Sequence, residues 1–409
     1  MTEKTGTDRR ATVAVVRCTT YNQEAVDRVV KRGIGLLGGA GVFARSGERI
    51  IFKPNVLWGT DPAKGVVTHP AVLRAVVAEF VPTGALLQYG DSSAGLPNAV
   101  RNMRKCGYEE ALRSLPVTLD PFEEATEVAY PQGIAGKRLR LAKAVVAVDG
   151  VINLPKLKTH GLTRMTGAVK NCFGCVPGMQ KGASHARFPD VYDFSNLLAD
   201  IATCVRPRLH IMDAVEAMEG NGPQSGTINN LGVLLFSTDP VALDTIACRL
   251  MALDTAYVPT IAAAVRTGLG VSDPDGISCV GDPVDDLIDH TFNVVRAAPV
   301  RFRPDGVLRH VKRFFLPRPV IRTRECTRCG RCATVCPVNP PALVHRVKTK
   351  PPEYDYRSCI RCYCCQEVCP SKAIVIHEPL MARLLPYMTY ISLLVARRRT
   401  RAVQPGQLK

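Results

Sequence analysis

The sequence predicts a large mixed, mostly parallel α/β domain followed by a small α+β module. Three observations carry this expectation. Short β-rich runs alternate with helix-like stretches over the first 290 residues, nine of the 16 cysteines fall between 326 and 369, and the net charge of +17 lies entirely after residue 295. From residue 296 onward there are 23 Lys and Arg against 6 Asp and Glu, so the first 295 residues are neutral. The expected division is an α/β domain over 1–295, a basic Pro/Arg-rich linker over 296–320, the cysteine module over 321–378 and a basic helix and tail over 379–409.

The expected strands are Ala11–Val16, Arg49–Phe52, Ala85–Tyr89, Ala144–Asn153, Leu209–Asp213 and Gly232–Ser237. The expected helices are Glu24–Leu37, Pro70–Phe80, Ala99–Gly107, Val191–Cys204, Pro240–Met251 and Val258–Thr267. Strands alternating with amphipathic helices build a mostly parallel sheet covered on both faces. Polar residues that follow strand ends line the ligand crevice of such folds. Three segments end that way: Lys53-Pro54-Asn55, Gly90-Asp91-Ser92-Ser93 and Asn153-Leu154-Pro155-Lys156.

The start of the chain is polar and shows no signal peptide, which points to the cytoplasm and to metal rather than disulfides for the clustered cysteines. The longest apolar stretch, 380–396, is interrupted by Arg383 and Pro386, so no transmembrane helix is expected.

The cysteine module holds one motif twice. Cys326, Cys329, Cys332 and Cys336-Pro337 repeat as Cys359, Cys362, Cys365 and Cys369-Pro370. Two-residue gaps wrap three thiolates around one cubane, and the fourth cysteine points across to the other. The expected ligands are Cys326, Cys329, Cys332 and Cys369 for one [4Fe–4S] cluster and Cys359, Cys362, Cys365 and Cys336 for the second. Zinc sites use pairs of C-x-x-C rather than two quartets each ending in Cys-Pro. Cys364 is surplus. The module resembles two-cluster ferredoxins over about fifty residues.

In the larger domain the densest chemistry lies at 153–175. Here Asn153 ends a strand, and Lys156, Lys158, Thr159 and His160 are expected on the following loop, with Arg164, Thr166, Lys170 and Asn171 beyond. Cations mixed with a hydroxyl and a histidine suit a carboxylate or phosphate. His160 is the candidate acid–base group, with Lys156 and Lys158 beside it. Lys53, Asn55, His69, Asp91, Ser92, Asn153, Lys170 and Asn171 are the candidate substrate-binding residues. Equally, these charges fit a solvated surface with His160 capping a loop. Cys172-x-x-Cys175 reads as a redox dithiol, a metal half-site or two small buried side chains. Cys18, Cys106, Cys204, Cys248 and Cys279 read as core cysteines. The loop EGNGPQSG at 219–226 is either a close backbone approach to a ligand or a tight turn. It lacks a nucleotide-binding pattern.

Taken in order, FKPN at 52–55, THP at 68–70, GDSS at 90–93, NLPKLKTHGLTRMTGAVKN at 153–171, EGNGPQSG and STDPVALD at 237–244 resemble the domain-of-unknown-function family 362, over residues 10–270 or so. The resemblance implies an iron–sulfur protein and leaves its substrate open.

The basic C-terminal region lacks a nucleic-acid recognition fold and interleaved aromatics, so no nucleic acid is expected. It suits an acidic electron carrier such as a ferredoxin or flavodoxin, and its tail suits either packing on the larger domain or peripheral contact with an anionic membrane. The expected function is an iron–sulfur oxidoreductase that uses two [4Fe–4S] clusters on a small anionic organic substrate. The alternative is an electron-transfer subunit with no active site of its own.

Overall fold

A computed structural model describes residues 10–93, 98–178, 180–301 and 316–379. The strands of the larger domain are β1 (Ala11–Arg17), β2 (Arg49–Pro54), β3 (Leu86–Tyr89), β4 (Val117–Leu119), β5 (Ala125–Ala129), β6 (Arg138–Ala142), β7 (Gly150–Leu154), β8 (Lys156–His160), β9 (Arg164–Thr166), β10 (Leu209–Glu219), β11 (Thr227–Asn229), β12 (Val233–Ser237) and β13 (Ile277–Gly281). Eleven of them form one sheet, whose main path runs β13-β1-β12-β10-β7-β2-β3-β4. Only β12 runs against its two neighbours on that path, so the sheet is mixed and mostly parallel, as the alternation predicts. The remaining pair, β5 and β6, forms a separate antiparallel ribbon.

The central strands are apolar on both sides because both sides are covered. Val13 and Val15 of β1 point into one core and Ala14 and Val16 into the other; Ile51 and Ile50 of β2 divide in the same way. Helices Val191–Val205 and Pro240–Leu250 fill the first face, and Gln23–Gly35 and Pro70–Phe80 the second. Helix starts follow from local chemistry. Asp239 accepts from the amides of Val241 and Ala242 ahead of Pro240, and His69 Nδ1 accepts from Ala71 ahead of Pro70. Gly33 costs its helix about 1 kcal/mol in propensity. It is needed because a Cβ there would lie 2.2 Å from the Phe236 ring.

Three expectations need correction. The strand expected over 144–153 is a helix, Lys143–Ala147, followed by β7. Its partner β2 pairs only from Ile50↔Gly150 onward, so the earlier residues have no ladder to join. Residues 156–160 are a strand, not a loop. Pro155 ends β7, and the chain then steps across to pair β8 in parallel with the long β10 and antiparallel with β9. Cys279 is exposed rather than in the core, because β13 is an edge strand.

Among the described residues no helix is long and apolar enough to cross a membrane. The expected tail at 380–409 and the linker residues 302–315 lie outside the described residues.

Candidate functional site

The cysteine module repeats in three dimensions as it does in sequence. β14 (Arg318–Ile321) pairs antiparallel with β17 (Ile374–His377), and β15 (Leu343–Val344) with β16 (Glu353–Tyr354). Each cysteine loop has two left-handed residues at matching places, Arg328 and Gly330 in the first and Arg361 and Tyr363 in the second. Left-handed steps cost a non-glycine residue energy and persist only where the turn requires them. Here they curl three thiols inward. A short helix follows in each half, Arg331–Thr334 and Cys364–Glu367.

Cys326, Cys329, Cys332 and Cys369 line one cavity, which is the crosswise quartet expected from the spacing. Burial, followed by the charges of Cys369, Cys329 and Cys326, pushes the Cys332 thiol up to about 12. Four thiols that repel one another's ionisation around a common space fit a cationic iron–sulfur guest. Cys365, Cys359 and Cys362 form the second mutually interacting group, and Cys336 packs at the edge of the module core. Tyr354 donates its hydroxyl to Cys365 Sγ at 3.2 Å. Cys364 opens the short helix and interacts with the Cys362 thiol.

In the larger domain the predicted residues converge on a buried polar cluster at the C-terminal ends of β2 and β7, beside β8 and the middle of β10. Lys53 Nζ lies 2.8 Å from Asp91 Oδ1, and the other Asp91 oxygen accepts from the amide of Val56. Lys156 Nζ donates to Asp213 at 2.9 Å and to Tyr21 at 2.6 Å. Asp213 also accepts from the Tyr21 hydroxyl and from the amide of His69, whose ring stacks on Tyr21 at 3.6 Å. Asn55, Asn153 and Asn171 form a chain. Asn55 donates to Asn171, Asn171 donates to Asn153, and Asn153 bridges to the carbonyl of Ala168 and to His210. Ser92 is buried; its hydroxyl accepts from Gly178, and its carbonyl accepts from Lys181.

The cations outnumber the acids that could balance them. Among the described residues Lys158 donates only to neutral oxygens, Asn55 Oδ1 at 2.6 Å and the Val66 carbonyl at 2.7 Å. Burial, then the charge of Lys170, pulls its pKa down to about 7. Lys170 makes no hydrogen bond or ion pair with the described residues. Burial lowers its pKa too, while Glu367 and Cys364 of the module oppose that shift. Lys158 and Lys170 therefore hold charge with no carboxylate bonded to either.

Strand alternation puts Lys156, Lys158 and His160 on one face of β8. His160 closes the gap to the module. Its Nδ1 accepts from the amides of Leu162 and Thr163, so the proton sits on Nε2, which lies 3.1 Å from Glu367 Oε1. Burial, then Lys170, pushes His160 down to about 4. Burial works against the Glu367 carboxylate, yet the hydrogen bond from His160 and the nearby cations hold it down at about 2.

The loop at 219–226 proves to be a docking clamp. Gln366 Nε2 donates to the Asn221 carbonyl at 2.9 Å and the Gly222 carbonyl at 3.1 Å, Asn221 donates to the carbonyl of Ile374, and Lys372 donates to that of Gly226. Its glycine is required, since a Cβ on Gly222 would meet the Thr159 carbonyl at 2.3 Å. Trp58 of the larger domain also packs against the module core. Between the two domains lies a cavity of about 410 Å³, lined by His160, Arg164, Asn221, Arg361 and several apolar side chains. Of the predicted acid–base and binding residues, His160 borders it; the others lie in the polar cluster behind. Glu367, Asp213, Tyr21 and Lys181 were missed from the sequence. Glu367 sits inside a cysteine motif, and nothing in its spacing marks it as the partner of a distant histidine.

Cys172 and Cys175 are fully buried in a short turn, and burial pushes Cys175 up to about 12 despite the opposing charge of Lys53. Thiols held protonated in this way behave as packing. Between them, Gly174 leaves room for the ion pair: a Cβ there would lie 2.0 Å from Asp91 Oδ1.

A family profile described as a domain of unknown function, DUF362, matches residues 50–249, and a 4Fe–4S dicluster domain profile matches residues 318–370. A thylakoid-associated protein of the cyanobacterium Synechocystis is 33% identical over 308 residues, covering 75% of this chain and 95% of that protein. Among solved structures, the lactate racemase apoprotein of Thermoanaerobacterium thermosaccharolyticum aligns with TM-score 0.41 and 12% identity, over 61% of this chain and 58% of that one. A Thermotoga maritima protein aligns with TM-score 0.33 and 9% identity, over 50% of this chain and 52% of its own. The chain thus spans little more than half the length of these two structures.

Proposed function

This chain belongs to the domain-of-unknown-function 362 family and carries a 4Fe–4S dicluster domain, and from that premise we propose that it is an iron–sulfur oxidoreductase acting on a small organic anion. The observation that carries the reading is the seating of helix Cys364–Glu367 against the buried lysines, with His160 and Glu367 in contact across the junction. Cys326, Cys329, Cys332 and Cys369 would hold one [4Fe–4S] cluster and Cys359, Cys362, Cys365 and Cys336 the other, and such clusters supply electrons one at a time.

The protein's own groups do the rest. An anion at the junction cavity meets Arg164, with the His160 ring at the cavity's border. Lys170 and Lys158 supply unbalanced positive charge behind it. Lys158, drawn to about 7, is suited to carry a proton at neutral pH. His160 has both ring nitrogens engaged and serves better as a donor that orients. Asn55 fixes Lys158 directly. Lys53, His69, Asp91, Ser92, Asn153, Lys156 and Asn171 support that arrangement from the polar cluster.

Exposed Arg322, Arg324, Arg328 and Arg331 flank the exposed Cys329 along the sequence, a composition suited to an acidic carrier of the ferredoxin or flavodoxin kind. This reading puts the chain in the cytoplasm, with its basic tail available to an anionic membrane. The relative's name, thylakoid-associated, makes vesicle binding worth measuring.

A second reading, an electron-transfer subunit without chemistry of its own, is favoured by one observation. The ammonium groups of Lys53, Lys156 and Lys158 are all engaged by protein acceptors. Anaerobic purification with iron and sulfide counts, followed by mixing of the reduced protein with pools of small carboxylates and phosphates, separates the readings. Reoxidation by one pool, lost in Lys158→Met, supports the first. Indifference to every pool, with full electron delivery to a co-purifying enzyme after His160→Ala, supports the second. Iron-free protein sinks both.

A further inference from the structure

The two halves of the cysteine module are superposable in pattern, which makes their differences informative. A shift of 33 residues carries Cys326 onto Cys359, Arg328 onto Arg361 and Ile321 onto Tyr354. Loop geometry is shared, as the paired left-handed residues show. Two side chains are not equivalent.

The first is Arg361. It is only 6% exposed, its Nε and Nη1 find no hydrogen-bond partner among the described residues, and its guanidinium lies 5.2 Å over the Tyr356 ring. Its counterpart Arg328 is exposed. A buried guanidinium with unpaired N–H groups is costly unless an anion faces it. The second is Tyr354, whose hydroxyl donates to Cys365 Sγ at 3.2 Å, where the first half has Ile321 and no hydroxyl.

We propose that the two clusters are unequal by construction: Arg361 and Tyr354 make the inner one, at Cys359, Cys362, Cys365 and Cys336, the first to accept an electron. This rests on the two-cluster reading above. A hydrogen bond to a ligand sulfur and a nearby positive charge each favour the more negative, reduced state. Burial acts the other way, because solvent at the exposed Cys329 also stabilises added charge. The buried guanidinium, two residues from Cys359, acts on that half with little screening by solvent or salt, whereas the exposed Arg328 of the first half is screened strongly.

The test is an anaerobic redox titration of the full chain followed by EPR, with no substrate present. The wild type is expected to show two separate midpoints, an isolated-cluster signal appearing first and a spin-coupled signal after the second electron. Arg361→Gln and Tyr354→Phe are each expected to lower the first midpoint and leave the second in place. Arg361→Lys should retain most of the first midpoint, and Arg328→Gln should move neither. Coincident midpoints in the wild type, or a Tyr354→Phe titration that shifts the second midpoint or none, would overturn the inequality. Should Arg361→Gln fail to load iron, Tyr354→Phe alone decides. Wild-type protein without iron would instead refute the two-cluster reading on which the inequality rests.

Discussion

Replacing Asp91 by Asn tests whether the buried lysines are held by their protein partners. Lys53 is fully buried, and its ammonium has two acceptors, Asp91 Oδ1 at 2.8 Å and the carbonyl of Pro54 at 3.0 Å. Asparagine keeps the shape and an oxygen for the amide of Val56, so the variant removes little except charge. A buried ion pair broken on one side strands the other ion, at a cost of about 3–5 kcal/mol. Asp91→Ala should cost about 1 kcal/mol more, because the Val56 amide then loses its acceptor as well. The double variant Lys53→Met with Asp91→Leu strands neither charge and should lie within about 2 kcal/mol of wild type. Anaerobic urea unfolding followed by circular dichroism gives these values, with the m-value watched for loss of two-state behaviour. If Asp91→Asn costs less than about 1 kcal/mol, or the double variant is worse than the single, the lysine is not held as described.

Gly222→Ala should push the 219–226 loop off Thr159 and loosen the module. The emission of Trp58, the one tryptophan in the chain, then shifts toward that of an exposed indole while the sheet's circular dichroism is unchanged. Cys326→Ser and Cys369→Ser, 43 residues apart, should abolish the same EPR signal and spare the other, since both thiols face one cavity. Acid should weaken the fold. Burial holds His210 down at about 3 and His185 at about 4, below the unfolded value of about 6.5. The unfolded chain therefore binds more protons in that window, and stability is lost as pH falls from about 6.5 toward 4. Asp244, raised to about 7 by burial, works in the opposite direction over the same range but is one group against several. The urea midpoint at pH 5 should lie below that at pH 7.

What the sequence made legible was whatever local chemistry decides. Pro70 and Pro240 start helices where a missing amide is harmless, and the cysteine spacing matches the thiols that share a cavity. Residues 156–160 were misread because lysines and a histidine usually mark solvent, whereas here a buried strand carries them toward acceptors supplied by 55, 66 and 213. Those partners are distant in sequence, so periodicity holds no trace of them. The same holds for EGNGPQSG. Its glycines signalled a close approach, but what approaches Gly222 is β8 at Thr159, and the loop's carbonyls then receive a helix more than 140 residues further on.

The crosswise cavity has a consequence for biogenesis. Three of its thiols lie within residues 326–332, but the fourth, Cys369, closes the second motif, and β14 pairs with β17, which follows it. Neither half can be finished alone. A chain truncated before residue 369 would forfeit a wall of that chamber and the strand that pairs with β14.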